Sequence, residues 1–259
     1  MSGAAVELRG ITQRFGGLTA LDNVSLSVAP GTVHGIIGPN GAGKTTLLNI
    51  LSGLQRPSLG KVLVGGQDVT RWRGHHYGPR ARLVRTFQTV RLFGSMTVRE
   101  NLMVAAQTVA PLARARTTSI DVLERLGLTA LADERATSLS YGLQRRVELA
   151  RALAAEPSVV LLDEPAAGLS PHERGDLAAL LRALRSDGVT VILVEHHMDL
   201  VHAVCEDCTV LDFGAVISRG SPEFVTQDSA VVEAYLGGGR RHHATGFEVT
   251  NDEAEEGSS

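Results

Sequence analysis

The feature that most constrains this chain is the segment Gly-Pro-Asn-Gly-Ala-Gly-Lys-Thr at residues 38–45. An apolar-rich run from Val33 to Ile37 precedes it, and helix-spaced apolar residues from Leu47 to Leu51 follow it. A glycine-rich loop between a strand and a helix lets successive backbone N–H groups and the helix N-terminus surround a phosphate. The sequence therefore predicts a phosphate-binding loop on an α/β framework.

This loop predicts a nucleoside triphosphate site. The Lys44 side chain has the length to reach the β- and γ-phosphates, and the Thr45 hydroxyl can bind Mg²⁺. Glycines in the loop let the backbone curl around the phosphates, since no Cβ stands in the way. The predicted nucleotide-binding residues of the loop are Gly38, Pro39, Asn40, Gly41, Ala42, Gly43, Lys44, Thr45 and Thr46.

Composition limits the class of protein. Of the 259 residues, 43% are hydrophobic and 20% are charged, which is typical of a soluble globular domain. The longest apolar runs, such as Val189 to Val194, fall far short of the roughly 20 residues that span a bilayer. The N-terminus lacks the pattern of a secretory signal, so we expect any membrane role to be peripheral. A net charge of −3 argues against nucleic-acid binding by bulk charge.

Two local features leave alternatives open. The stretch from Arg71 to Arg99 carries seven arginines and no Asp or Glu. It is either a solvated basic face or a surface for an acidic partner or anionic lipid heads. The two cysteines, Cys205 and Cys208, are spaced C-x-x-C. They are either a redox pair, half a metal site or two plain buried thiols. Such low cysteine use fits a reducing cytosol.

Hydrophobic periodicity predicts an α/β chain with an inserted helical block. Alternating residues from Val6 to Val28 indicate antiparallel strands with one wet face. Residues 97–155 have a mostly helical pattern, which a capping box of Thr97 with Glu100 opens. Strand–helix alternation then resumes, and Ser221 is expected to cap a short last helix.

These patterns divide the chain into a folded part and a tail. We expect one domain over residues 1–236, with the helical block inserted at roughly 89–156. Residues 237–259 open with three glycines and become acidic and serine-rich, so we expect this tail to be disordered.

A second chemical motif is Val-Val-Leu-Leu-Asp-Glu at residues 159–164. A hydrophobic strand that ends in Asp163 places a carboxylate beside the Mg²⁺ site of a phosphate loop. Glu164 follows one residue later, where it can polarise water for attack on the γ-phosphate.

The third motif narrows the family. Leu-Ser-Tyr-Gly-Leu-Gln at residues 139–144 resembles the signature motif of ATP-binding cassette (ABC) ATPases, whose consensus is Leu-Ser-Gly-Gly-Gln. The resemblance implies that Ser140 and Gly142 meet the γ-phosphate held by another subunit. Tyr141 and Leu143 depart from the consensus, and Leu143 removes an amide near that nucleotide.

Further ABC landmarks occur in the family's order. The resemblance implies that Phe15 stacks on adenine and that Gln88 senses the γ-phosphate and Mg²⁺. It likewise assigns His196 as the switch histidine that orients the γ-phosphate. Gly168 and Ser170 match the D-loop, which lines the seam between subunits. The catalytic set so implied is Glu164, His196 and Gln88, and the metal set is Thr45, Gln88 and Asp163.

The resemblance to ABC ATPases extends over roughly residues 5–236. In motifs such as Arg-Thr-Phe-Gln at 85–88, the sequence is similar in detail to the ATPases of branched-chain amino acid importers. It implies an α/β, P-loop ABC-type nucleotide-binding domain with a RecA-like core, an antiparallel β-subdomain and an inserted α-helical subdomain. The implied cofactors are ATP and Mg²⁺.

The same resemblance implies partners and a location. The partners would be membrane permease subunits and a second ABC ATPase subunit, identical or different, with a solute-binding protein indirectly. The protein would lie in the cytoplasm, peripheral to the membrane. Alternatives are an exporter ATPase, an importer of urea, amides or another small polar solute, and a soluble ABC ATPase that acts without a permease.

Overall fold

The computed structural model describes residues 3–72 and 77–236, so the predicted acidic tail and Arg73 lie outside the described residues. The strands are β1 (Val6–Phe15), β2 (Leu18–Val28), β3 (Val33–Ile37), β4 (Leu59–Val64), β5 (Gln67–Asp68), β6 (Leu83–Arg85), β7 (Val159–Asp163), β8 (Thr190–Val194), β9 (Asp207–Asp212) and β10 (Ala215–Gly220). The helices are α1 (Lys44–Leu51), α2 (Val98–Ala106), α3 (Leu112–Arg125), α4 (Tyr141–Ala154), α5 (Pro171–Ser186), α6 (Met198–Val204), α7 (Pro222–Gln227) and α8 (Ser229–Leu236). Short π and 3₁₀ turns occupy Tyr77–Ala81, Thr129–Leu131 and Ala136–Ser138.

Two sheets form the framework and confirm the predicted α/β fold. An antiparallel sheet has the order β2-β1-β4-β5, and a larger sheet has the order β10-β9-β3-β8-β7-β6. In the larger sheet the strands from β9 to β6 run parallel, and β10 pairs antiparallel with β9. The antiparallel pairing of β1 with β2 is the one that the alternating N-terminal pattern predicts.

The central strands are buried on both faces, because each face packs on a different cluster. Every residue of β3, β7 and β8 is buried, as expected for parallel strands covered on both sides. Alternate residues go to opposite clusters: Leu161 packs with α1 and the antiparallel sheet, whereas Leu162 packs with α2 to α6. The two faces of one sheet thus hold the phosphate-loop helix and the helical block in place.

The helical block lies in the chain between β6 and β7. The predicted capping box of Thr97 and Glu100 is present at the start of α2. Ser170 and Glu173 form a second such box at the start of α5. The buried residues of α2, α3 and α4 belong to the same apolar cluster as one face of the large sheet, so this block packs directly on the nucleotide-binding framework.

Other expectations are corrected or refined. Ser221 caps α7 as expected, but α7 is not the last helix, because α8 follows it. Arg85 of the basic stretch is buried rather than surface-facing. Cys205 and Cys208 are buried free thiols, and a hydrogen bond from the Cys205 thiol to Cys208, together with burial, raises the pKa of Cys205. Within residues 3–72 and 77–236, no helix is long and apolar enough to cross a membrane.

Candidate active site

The predicted site residues follow strands whose carboxyl ends meet at one edge of the large sheet. The phosphate loop follows β3, the Asp163–Glu164 pair ends β7, and His196 follows β8. The register pairs Asp163 with Val194 and Ile36 with Val194, so the three strand ends are level. In open α/β sheets, ligands bind at this edge.

The phosphate loop has a backbone that only glycine allows at key points. Gly38 and Gly43 have φ values of 149° and 101°. A Cβ on Gly38 would overlap the carbonyl oxygen of Leu211, and one on Gly43 would lie 2.8 Å from that of Ala20. The loop is therefore wedged between β2 and the end of β9, and its glycines provide the close approach that a phosphate cradle needs.

The ammonium of Lys44 lies over this loop. Its Nζ donates to the carbonyl oxygens of Gly38 at 2.6 Å and Pro39 at 2.8 Å. Burial lowers the pKa of Lys44, and the nearby carboxylates of Glu164 and Asp163 oppose that shift. The cation is thus hydrogen-bonded to the loop and lies within electrostatic reach of both carboxylates of the second motif.

Asp163 is held by an arginine that sequence analysis left without a role. Arg85 Nη2 donates to Asp163 Oδ2 at 2.8 Å, and its Nη1 donates to Asn49 Oδ1 of α1 at 2.7 Å. The side chains of Arg85 and Asp163 are 6% and 11% exposed. One carboxylate oxygen, Oδ1, has no hydrogen bond from the described residues, and the Thr45 side chain is exposed at the start of α1. This set of hard oxygen atoms fits Mg²⁺.

Glu164 brings together the three residues that the ABC resemblance implies are catalytic. Gln88 Nε2 donates to Glu164 Oε2 at 2.9 Å. His196 Nδ1 lies 3.9 Å from the same oxygen. Glu164 has a left-handed φ of 46°, which is strained for a residue with a side chain. Glu164 is the first residue after β7, so the strained backbone lies at the edge of the sheet where the site residues meet.

Glu195 is a second residue that sequence analysis left without a role. Its carboxylate, with 0% of the side chain exposed, accepts from the backbone N–H of Ala166 at 2.8 Å and of His196 at 2.9 Å. It also accepts from the backbone N–H of His197 at 3.1 Å, and His197 Nδ1 lies 3.0 Å away. Glu195 therefore fixes the backbone of the predicted switch histidine to the turn after β7.

The group Glu195, His196 and His197 has ligand atoms within 4.8 Å of one another. Both Glu195 oxygens already accept N–H groups, so this carboxylate is a structural acceptor. Among the described residues, neither cysteine joins a cluster of three or more possible metal ligands.

The signature and D-loop residues form a separate cluster. Ser140 caps α4, and a Cβ on Gly142 would overlap the carboxylate of Glu173 at the start of α5. A Cβ on Gly168 would lie 3.1 Å from the Tyr141 ring, so the two motifs pack on each other, and Ser170 caps α5. No hydrogen bond or ion pair between described residues joins Ser140 or Gly142 to the phosphate loop.

The aromatic residue expected at adenine stands apart as well. Phe15 ends β1 at the tip of the β1–β2 hairpin, and the residue is 49% exposed. Strand β2, the second strand of this hairpin, packs against Gly43 of the phosphate loop. Phe15 is thus on the sheet that contacts the loop, with its ring open to solvent.

Arg85 and Glu195 carried weak sequence signals. Each is a charged residue at the end of an apolar strand, where a buried partner is needed. Arg85 pairs with Asp163, 78 residues away, and Glu195 accepts from Ala166, 29 residues away, besides its neighbours His196 and His197. Spacing in the sequence could not reveal the two distant partners.

A comparison with models of known protein families identifies the family of this chain. The family model described as ABC transporter matches residues 21–167, more than half of the chain. The chain belongs to the ABC transporter family, whose cassettes are ATPases. A second model, described as branched-chain amino acid ATP-binding cassette transporter, matches residues 215–240 of this ABC ATPase.

Two curated relatives are similar in sequence to this ABC cassette over nearly its whole length. It is 41% identical over 254 residues to BraF of Pseudomonas aeruginosa, a high-affinity branched-chain amino acid transport ATP-binding protein. It is 39% identical over 254 residues to the corresponding protein LivG of Escherichia coli. Each match covers 92% of this chain and 99% of the relative.

Solved ABC cassettes share the fold. A nucleotide-free ATP-binding cassette superposes with a TM-score of 0.82 at 32% identity, covering 90% of this chain and 98% of that one. The ADP conformation of the cassette MJ1267 gives a TM-score of 0.81 at 33% identity, covering 91% and 100%. A dimeric post-hydrolysis state of MJ0796, bound to ADP and Pi, gives 0.74 at 28% identity, covering 84% and 98%.

Proposed function

We propose that this ABC ATPase binds ATP with Mg²⁺ and hydrolyses it to power import of branched-chain amino acids or a related small polar solute. The observation that carries the proposal is the convergence of Gln88 and His196 on the Glu164 carboxylate, beside the phosphate loop. The names of BraF and LivG support the choice of solute class.

In this proposal, the phosphate loop binds the triphosphate through its backbone N–H groups and Lys44. The Lys44 ammonium would exchange its two carbonyl acceptors at Gly38 and Pro39 for phosphate oxygens. Phe15, half exposed at the hairpin tip, would cover the adenine ring.

Thr45, Gln88 and Asp163 would hold Mg²⁺. Arg85 occupies only one oxygen of Asp163, so the carboxylate keeps a position for the ion or for its water. Bound there, Mg²⁺ would neutralise charge on the β- and γ-phosphates.

Glu164 would accept a proton from the water that attacks the γ-phosphate. The hydrogen bond from Gln88 occupies one Glu164 oxygen, and nucleotide would draw Gln88 away toward the γ-phosphate. His196, with its side chain 52% exposed, would donate to the γ-phosphate and orient it.

The site is completed in this proposal by a second ATPase subunit, identical or different. Ser140 and Gly142 lie apart from this chain's phosphate loop, so they are free to face nucleotide on a partner, with Gly168 and Ser170 along the seam. The cassette MJ0796, which shares this fold, is dimeric in its post-hydrolysis state with ADP and Pi, and this supports a dimer. Closure would follow from contacts that ATP makes only in the closed dimer.

The inserted helical block, for which we keep the predicted bounds of roughly 89–156, would carry this motion to membrane permease subunits. The protein would then be peripheral on the cytoplasmic face, and a solute-binding protein would act through the permease. Co-purification in mild detergent distinguishes this proposal from a soluble ABC ATPase, and the direction of solute flux distinguishes it from an exporter.

The decisive experiment for hydrolysis is Glu164→Gln. Loss of the base should lower ATP turnover at least about 100-fold, while ATP affinity stays within about twofold and a closed dimer accumulates. Turnover by a phosphate-release assay and mass by light scattering provide the measurements. Glu134→Gln, at an exposed glutamate outside the site, is the matched control. Near-normal turnover in the Glu164 variant would refute the role of this residue.

A further inference from the structure

Two charged side chains of α4 are buried inside the protein. Arg145 and Glu148 pair at 3.1 Å, and their side chains are only 6% and 2% exposed. The cost of burying such a pair is repaid only when further hydrogen bonds satisfy its polar groups, and here each of these groups except Arg145 Nε has a partner among the described residues. The contacts that satisfy this pair therefore show what the pair is for.

Each further hydrogen bond of the pair ends on the backbone of residues 87–91, which we name the Gln88 segment. Arg145 Nη1 donates to the Phe87 carbonyl at 2.6 Å, and Nη2 donates to the Gln88 carbonyl. Glu148 Oε1 accepts from the Arg91 N–H at 3.2 Å. The segment that carries Gln88 is thus fastened to α4 at both of its ends.

The N-terminus of α4, close to this pair, is the signature turn. Ser140 is the N-cap of α4 and lies about 8 Å along the helix from Arg145 at 1.5 Å per residue. Gly142 lies between them, in the first turn. At the far side of the Gln88 segment, Gln88 donates to Glu164. One helix turn and four hydrogen bonds therefore connect the partner-facing signature with the catalytic carboxylate of the same chain.

We propose that Arg145 and Glu148 are positioning residues that couple the two nucleotide sites of the dimer. Nucleotide pressed against Ser140 and Gly142 by the partner moves α4, and the pair moves the Gln88 segment with it. Gln88 then leaves or engages Glu164 according to whether the other site is occupied. This inference rests on the proposed ATP-sandwich function and adds a route between its two sites.

The test replaces the pair with apolar residues of similar volume, Arg145→Met with Glu148→Leu. Removing both charges avoids an unpaired buried charge, and such replacements are commonly tolerated. The matched control is Arg146→Met with Asp176→Leu, which removes a neighbouring, part-exposed pair of α4 and α5. ATP turnover of the full-length chain in its transporter is measured against ATP concentration, and ATP affinity is measured by calorimetry.

We expect the Arg145 and Glu148 double variant to bind ATP within about twofold of wild type, with kcat reduced about tenfold and the Hill coefficient reduced to about 1. The control should keep the wild-type values. Arg145→Lys keeps a charge beside Glu148 but replaces the planar guanidinium fork with a shorter side chain that ends in a single nitrogen. It cannot hold Phe87, Gln88 and Glu148 in the same geometry, so it should lower the Hill coefficient while the chain stays folded. If the double variant has a much lower melting temperature than wild type, Arg145→Lys provides the test instead.

Three outcomes would overturn the inference alone: an active wild type with a Hill coefficient of about 1, variants of the pair that keep wild-type kcat and cooperativity, or an equal loss in the control. A wild-type chain without ATPase activity would instead overturn the proposed function, and the coupling with it.

Discussion

At the scale of single residues, Leu143 departs from the signature consensus, which has Gln at this position, and packs in the apolar interior. Its side chain is partly buried against the main apolar cluster. It lines a crevice with Leu169, Leu177 and Leu180. Leu143 thus contributes apolar contact where the consensus has an amide.

Leu143→Gln should therefore have opposite effects on stability and on activity. Loss of part of the apolar contact should lower the free energy of unfolding by about 1 kcal/mol. In the proposed ATP sandwich the amide would restore a polar group near the partner's nucleotide, so ATP turnover should be equal or higher. Urea denaturation and steady-state turnover give the two values. A large fall in turnover would show that Leu143 has a positive role in the sandwich.

The Arg85–Asp163 pair is the residue-scale test of buried charge. Arg85→Gln should lower the free energy of unfolding by about 3 kcal/mol, because it leaves Asp163 without its guanidinium. Arg114→Gln breaks the exposed pair with Glu156, where the Arg114 side chain is 66% exposed, and should cost less than about 1 kcal/mol. Both are measured by urea denaturation. Similar losses in the two variants would contradict the buried role of Arg85.

The sequence predicted the residues whose roles depend on local spacing. The phosphate loop and Asp163–Glu164 follow directly on apolar strands, so their neighbours in sequence are enough to indicate their chemistry. Arg85 pairs with Asp163 on β7, and Glu195 accepts from Ala166 in the turn after β7; only the packing of the strands brings these distant residues close. The buried state of Arg85 therefore could not be told from a solvated basic stretch.

At the scale of elements, the helices with a strong cap or a broad apolar face were predictable. The capping boxes at α2 and α5 are visible as Thr97 with Glu100 and Ser170 with Glu173. Helix α8 was missed because only Val231 of its eight residues is buried, which leaves no periodic apolar pattern. Its Tyr235 lies near the Gly38 N–H, which opposes the rise in the Tyr235 pKa caused by burial.

Helix α2 provides the element-scale prediction. Thr97 accepts from the Glu100 N–H, and Glu100 accepts from the Thr97 N–H. Thr97→Ala removes the first of these bonds and should lower the free energy of unfolding by about 1 kcal/mol. Thr97→Ser keeps a hydroxyl and is the matched control, expected within about 0.3 kcal/mol of wild type. Equal stability of the Ala and Ser variants by urea denaturation would argue against a contribution from the cap.

At the scale of the whole molecule, the strand order explains why the site assembles at all. Strand β3 lies between β8 and β9 although some 150 residues separate β3 from β8 in the chain. Periodicity indicates that these strands are buried, but it carries no information about which one is adjacent to which. The order follows from long-range packing, and it brings three sequence motifs to one edge.

The same central sheet contains His34, which gives a prediction for global stability. His34 is 2% exposed on β3, and its Nε2 lies 2.9 Å from Thr209 Oγ1 on β9. Burial lowers its pKa to about 4, with Asp207 opposing and Arg219 adding to the shift. The unfolded chain, with an ordinary His pKa near 6.5, therefore binds more protons than the folded chain between those values.

It follows that stability is full above about pH 6.5 and is lost progressively as the pH falls toward 4. The fully developed loss is about 3 kcal/mol, the equivalent of the difference between the two pKa values. His34→Gln should remove this part of the pH dependence, whereas His172→Gln, at an exposed position on α5, should leave the profile as it is. Urea denaturation at half-unit steps from pH 7 to 4 measures each profile. An unchanged slope in the His34 variant would mean that the acid sensitivity of the central sheet arises from other groups.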